Sequence, residues 1–402
     1  MSDCKLRSAV LLMLAILCLP SLQAQTYKIL HQFDPYNAIG PEGAVIIDSA
    51  GNLYFTASGG FVSFGNVLEL NTAGKINVLY SFTNGGLNGS LPLGGLVRDS
   101  AGTLYGTTLD GGDSFASCNP SCGVIYKLDT AGIETVLYSF TGGSDGAFPH
   151  AGLVRDQAGN LYGTASNGGM HNSTCDPAGC GVVFKLDSAG AYSVLYSFTG
   201  GNDGGVPLAA LILDSSGNLY GTASLGGNLT CTGSSSCGVV FAIDSANKYT
   251  VLYSFAGGAQ GFSPESSLVR DGAGNLYGST YYGGDLSCNN GIGCGTAFKL
   301  DTSGNLTTLH RFAGEPDGAF PTGLLRDESG NLYGMTTIGG GGCTLPGCGT
   351  VFKLGPSRNE TILYSFKGPL NHDGSHPVAA LIMDEAGNLY GTTPYTVFEV
   401  GR

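Results

Sequence analysis

The string Gly-Asn-Leu-Tyr recurs six times between Gly51 and Tyr390, and a seventh copy, Gly102–Tyr105, has Thr103 in place of Asn. The tyrosines of these strings, Tyr54, Tyr105, Tyr162, Tyr220, Tyr277, Tyr333 and Tyr390, are 51, 57, 58, 57, 56 and 57 residues apart. This period constrains the chain more than any other feature, because a unit repeated seven times must stack or close on itself to bury its apolar face. Three more strings keep the same spacing. One has the form Val-Phe-Lys-Leu, at Val67–Leu70, Ile125–Leu128, Val183–Leu186, Val240–Ile243, Ala297–Leu300, Val351–Leu354 and Val397–Val400. One reads Leu-Tyr-Ser-Phe from Leu79, Leu137, Leu195, Leu252 and Leu363, with Leu309-His310-Arg311-Phe312 as a variant. The last is Gly-Leu-Val-Arg-Asp, as in Gly95–Asp99 and Gly152–Asp156.

Each string is short, rich in β-branched and aromatic residues, and bounded by Gly, Asp, Asn or Ser, which is the pattern of strands. In Thr135–Phe140 the residues Val136, Tyr138 and Phe140 share one face. No helical period competes. Turns such as Asp129-Thr-Ala-Gly132 and Asp187-Ser-Ala-Gly190 suit an Asp side chain that accepts backbone N–H groups and a Gly at positive φ. In one repeat Asn247 takes the Gly position, and Asn is the residue that best tolerates that conformation. Four antiparallel strands repeated seven times predict an all-β fold, a seven-bladed β-propeller. The segment Thr26–Phe33 matches the fourth strand type and Val397–Val400 the third. The N-terminal strand is therefore expected to complete the last blade and close the ring.

Residues 1–24 read as a separate secretory signal: Lys5 and Arg7, an apolar run from Ala9 to Leu19, a break at Pro20 and a small residue at Ala24. A lipoprotein anchor at Cys18 fits less well, because Leu17 stands where a small residue is needed. Residues 25–402 are then one propeller domain, with no later run of eighteen apolar residues. A formal charge of −13 argues against nucleic acid or an anionic membrane as partner.

The sequence Gly-Asn-Leu-Tyr-Gly-Thr, then Gly-Val-Val-Phe-Lys-Leu, then Val-Leu-Tyr-Ser-Phe-Thr-Gly resembles the bacterial GloVer tandem-repeat proteins, over nearly all of residues 26–400. That resemblance implies an exported protein, and many members carry a C-terminal surface anchor. Here the last strand string ends at Val400, so no such anchor is expected.

Ten cysteines follow the signal, as local pairs: Cys118/Cys122, Cys175/Cys180, Cys231/Cys237, Cys288/Cys294 and Cys343/Cys348. Each pair falls between the second and third strands of blades 2 to 6. Even count, local pairing and export together predict five disulfides. A zinc centre would need four ligands at one point, and each loop offers two.

Chemistry is expected on the face carrying these loops and the connections from one blade to the next. There Asp145, Asp203, Asp317 and Asp373 each open an Asp-Gly turn that ends at a Pro. They either shape the turn or ring the channel mouth and hold Ca²⁺; no other cofactor is implied. His150, Tyr281, Tyr282 and His376, with His171 and His372, break the repeat symmetry and are candidate contacts. No Ser-His-Asp spacing, phosphate loop or zinc-protease motif accompanies them. Arg98, Arg155, Arg270 and Arg326 recur beside Asp and are expected to form ion pairs. The sequence expectation is a monomeric, exported, non-enzymatic scaffold that binds a protein or glycan, through a patch dominated by hydroxyls and carboxylates. The alternative is a divalent-cation-dependent polysaccharide lyase or hydrolase at an acidic channel mouth.

Overall fold

The computed structural model describes residues 26–401 except 35–39, 60–63, 84–85, 113–117, 119–120, 172–174, 176–177, 232–235 and 344–345. The signal-peptide reading lies outside the described residues.

Seven four-stranded antiparallel sheets follow one another. Blade 3 shows the plan: Val154–Arg155, Leu161–Ala165, Val182–Leu186 and Tyr192–Ser197, paired in chain order. The first strand is the innermost and lines a central channel. The last blade is built from Ile382–Met383, Leu389–Thr393, Thr396–Gly401 and the N-terminal strand Thr26–Gln32. Thr26 faces Gly401 and Gln32 faces Thr396, so the two ends of the chain close the ring as the sequence implies. Among the described residues there is no α-helix, only three single-turn 3-10 segments in connections.

Side-chain size holds the blades together. The Phe ending each fourth string is buried against the third strand of the next blade: Phe140 on Phe184 (ring centroids 5.4 Å), Phe198 on Phe241 (5.4 Å), Phe255 on Phe298 (5.3 Å), Phe312 on Phe352 (5.1 Å) and Phe366 on Phe398 (5.3 Å). Each such side chain taken from water contributes roughly 1.5–3 kcal/mol. Within a blade, the Gly after the repeat Tyr lies under that third-strand ring; a Cβ at Gly163 would sit 2.5 Å from Phe184 Cζ. Blade 1 reverses the sizes: Phe55 occupies the Gly position and faces Leu68, which replaces the Phe. One large and one small residue fill the space either way.

The hairpin between first and second strands uses its Asp fully. Asp156 Oδ1 accepts the Asn160 N–H (2.8 Å), and Oδ2 accepts Asn160 Nδ2 (2.7 Å) and the Tyr162 hydroxyl (3.1 Å). Asn247 adopts φ 62°, as its place in the turn requires. The arginines differ from expectation. Arg98 lies over the Tyr54 ring of the preceding blade (5.5 Å), Arg155 over Tyr105 (5.8 Å), Arg270 over Tyr220 (5.5 Å) and Arg326 over Tyr277 (5.6 Å). Of the four, and among the described residues, only Arg270 comes within 4 Å of a carboxylate, Asp214 at 3.9 Å. Ring closure puts each guanidinium on its neighbour's Tyr, where a weakly hydrated planar cation gains from the π face.

These turns set an acid limit. Burial pushes the carboxyls of Asp48, Asp99, Asp156, Asp214, Asp271 and Asp384 up, but their hydrogen bonds outweigh it and hold all six below the usual range. A depressed folded-state value means the stabilisation is present above the unfolded value, about 3.9, and is lost as pH falls through the lower folded value. Thermal melts at fixed ionic strength should show Tm dropping steeply below about pH 4. A Tm that stays flat down to about pH 2.5 would show that these bonds do not stabilise the fold.

Candidate binding face

The connection between blades starts at the outer strand and ends at the channel. After Phe140, Asp145 Oδ2 accepts the Tyr138 hydroxyl (2.9 Å) and the Thr141 N–H (2.8 Å), which folds the chain back. Phe148 then takes φ 55°, and Pro149 and His150 follow. The same left-handed residue precedes Pro at Leu91, Val206, Ser263, Phe320 and His376 (φ 56°, 53°, 57°, 60° and 51°). Such a conformation costs roughly 1–3 kcal/mol in a non-Gly residue, so something must hold it. In five connections the strained N–H donates to the carbonyl of the second Cys of a disulfide loop: Phe148 to Cys122 (2.9 Å), Val206 to Cys180 (2.8 Å), Ser263 to Cys237 (3.0 Å), Phe320 to Cys294 (2.9 Å) and His376 to Cys348 (2.9 Å). All five expected bridges are present, with Cα separations of 5.3, 5.1, 5.8, 5.7 and 5.6 Å. They pin each loop on itself, and the hydrogen bonds tie it to the entry of the next channel strand.

The residue after each Pro points into the channel. Leu93, His150, Leu208, Glu265, Thr322 and Val378 border a cavity of about 250 Å³, backed by small residues such as Gly95, Gly152 and Ala210. Small residues are needed because the blades converge there: a Cβ at Gly152 would lie 2.6 Å from the Gly95 carbonyl oxygen. Burial pushes the His150 imidazole down, so it is neutral at neutral pH, and pushes the Glu265 carboxyl up, with the Ser263 hydroxyl donating to it at 2.8 Å.

Of the candidates read from sequence, His150 is therefore in the channel wall. Tyr281 stacks on Phe320 (4.7 Å) and Tyr282 on Phe262 (5.3 Å), joining the loop of blade 5 to both flanking connections. His171, His372 and His376 are exposed on the same face. The four aspartates are elsewhere: none borders the cavity, and each is in the outer seam between two blades. Asp203 accepts the Tyr196 hydroxyl (2.9 Å), and Asp373 accepts those of Tyr364 (2.7 Å) and Tyr27 (2.8 Å). An acidic ring at the mouth is thus not what the repeat builds, because the Asp is spent on folding back the outer strand.

Two features escaped the sequence reading. Among the described residues, eight of the ten exposed large apolar ones, Leu87, Met170, Leu225, Leu229, Leu286, Ile292, Leu370 and Val378, are on this face, Leu370 being 93% exposed. These apolar side chains stand beside the hydroxyls and carboxylates expected there. The second feature is in the seams. Three of them pair an Asp with two stacked tyrosines: Tyr138 on Tyr192 (3.8 Å), Tyr196 on Tyr249 (3.7 Å) and Tyr27 on Tyr364 (3.6 Å). Between blades 5 and 6 both tyrosine positions change, and His310, Asp317 and Glu360 meet instead.

The profile of the Gloeobacter/Verrucomicrobia repeat matches residues 19–233, 92–292 and 172–397, which together span almost the whole chain. The chain belongs to the Gloeobacter/Verrucomicrobia repeat family. No curated protein matches this member of it in sequence. Among solved structures, it is similar to the extracellular domain of a protein described as a one-component system from B. thetaiotaomicron (TM-score 0.60, 10% identity, 94% of this chain and 40% of that one). It is also similar to that of a hybrid two-component system from the same organism (TM-score 0.54, 13% identity, 94% and 41%). This member therefore spans well under half the length of either chain, and at these identities the likeness is one of fold. No helix among its described residues is long and apolar enough to cross a membrane.

Proposed function

We propose that the protein is an exported scaffold that binds a partner protein on the face formed by the disulfide loops and the blade connections. The observation that carries this reading is the concentration of exposed apolar side chains on that one face. Apolar exposure biased to one face is what an interaction surface would present. Leucines and a methionine suit a protein better than a glycan, which would want aromatic platforms; the chain has no Trp, and its repeat tyrosines bond to Asp. Export is supported by the five disulfides and by the extracellular setting named for the similar structures. The opposite face supplies mainly hairpin turns whose aspartates bond within the turn.

The test is crosslinking capture from culture medium and envelope extract, compared between two variants. Replacing residues 281–292 by Gly/Ser should abolish capture of a partner, and altering the Asp129 and Asp187 turns should leave it intact. The reverse pattern would put the binding surface on the other face. Capture of a polysaccharide and no protein would overturn the choice of a protein partner.

A further inference from the structure

We propose that the seam between blades 5 and 6 holds a transition-metal ion of the Zn²⁺ class, bound by His310 Nε2, Asp317 Oδ1 and Glu360 Oε1. Three observations converge. First, the geometry is nearly that of such a site. The three ligand atoms lie within 4.8 Å of one another, with Nε2 3.0 Å from Asp317 Oδ1 and 3.7 Å from Glu360 Oε1. Tetrahedral ligands bonded at the usual zinc distances are about 3.3 Å apart, so these separations bracket the required value. Second, Glu360 Oε1 is buried and accepts no hydrogen bond in the protein. Asp317 Oδ2 accepts the Ala313 N–H at 2.8 Å and lies 3.2 Å from the imidazole Nε2, while Oδ1 is the nearer oxygen at 3.0 Å. Third, three sister seams show a purely structural solution for this place. Tyr138 and Tyr192, or Tyr196 and Tyr249, serve the same aspartate with neutral, stacked rings. Here both tyrosines are replaced at once by residues that ligate metals.

Two carboxylates and one imidazole meet at this half-buried place. A divalent ion would neutralise both carboxylates and satisfy the orphaned oxygen. The donor set selects the metal: one imidazole with two carboxylates suits Zn²⁺ and its neighbours, while Ca²⁺ prefers an all-oxygen shell. The side chains of His310, Asp317 and Glu360 remain 19%, 15% and 14% exposed, enough to admit an ion and leave a position for water. The site joins two blades, so its role would be to lock one seam of the ring, independently of any partner.

The experiment uses the mature, oxidised protein freed of metal with a chelator. Isothermal titration with Zn²⁺, and Co²⁺ as a spectroscopic probe, should show one ion per chain. The visible Co²⁺ bands should have tetrahedral or five-coordinate intensity, and Zn²⁺ should raise Tm. The variant is His310→Tyr with Glu360→Tyr, which restores the residues of the sister seams and should fold; circular dichroism checks that it does. It should lose that stoichiometric ion and the Tm response. A single His310→Ala variant, also folded, should bind at least about tenfold more weakly, as expected for removal of a ligand. Equal Zn²⁺ stoichiometry and affinity in the double variant and the parent would overturn the assignment. So would absence of any Zn²⁺ binding to the parent, which would leave His310 as an ion-pair partner of the two carboxylates.

Discussion

Removing residues 26–33 should lower the melting temperature by at least about 10 °C and make the protein aggregate. The strand Thr26–Gln32 is the outer edge of the last blade and precedes the strands of blade 1 in the chain. Its loss strips the partner from Thr396–Gly401 and exposes a row of unpaired backbone groups. It also removes two anchors. Phe33, 6% exposed, packs edge-on against Phe55 of blade 1 at 6.3 Å. Tyr27 stacks on Tyr364, and its hydroxyl donates to Asp373. Replacing one buried aromatic by Ala typically costs about 3–5 kcal/mol. Loss of the whole strand should exceed that, and a synthetic 26–33 peptide added in trans should recover part of it. Calorimetry and light scattering on the truncated and full mature chains decide the matter. Identical melting curves would mean that the N-terminal strand does not close the ring.

The second large effect is a size exchange inside one blade. Gly163→Phe alone should destabilise strongly, because the new ring must enter space already taken by Phe184; even a Cβ there would lie 2.5 Å from the Phe184 ring. Overpacking of this kind costs about 1–3 kcal/mol and often more. Phe184→Leu alone should cost a comparable amount by leaving a cavity and by losing the contact with Phe140. The double variant reproduces the Phe55/Leu68 pair of blade 1. It should therefore be markedly more stable than the sum of the single changes allows, with a coupling of about 1–3 kcal/mol in a double-mutant cycle by urea unfolding. Additive losses would show that the blade does not fill one shared volume.

What was legible in the chain was whatever repeats within a blade. Period, strand types, Asp-x-x-Gly turns, Asn247 at positive φ and the five Cys pairs all depend on neighbours a few residues apart in the sequence. Local sterics and loop closure act at that range, and the resemblance to the family rests on the same strings. Even the closing strand was readable, because Thr26–Phe33 is an out-of-place copy of a recognisable string.

The ring itself decided the rest. Arg98 meets Tyr54, and His310 meets Glu360, only because consecutive blades pack side by side. Those residues are 44 and 50 positions apart in the sequence, where no local rule links them. A signal for the His310 seam was present: read in register, the tyrosines of Tyr138/Tyr192 and Tyr196/Tyr249 become His310 and Glu360. It has meaning only once the two positions are known to face each other across a seam. The aspartates follow the same logic. Sequence placed Asp145 and its equivalents in the right connections, but not at the right radius. The outer-strand Tyr hydroxyl captures the carboxylate before the chain reaches the channel, and the residue after Pro, five positions later, is the one left to border the channel. Wedge-shaped packing of seven sheets fixes that radius, and a linear string does not encode it.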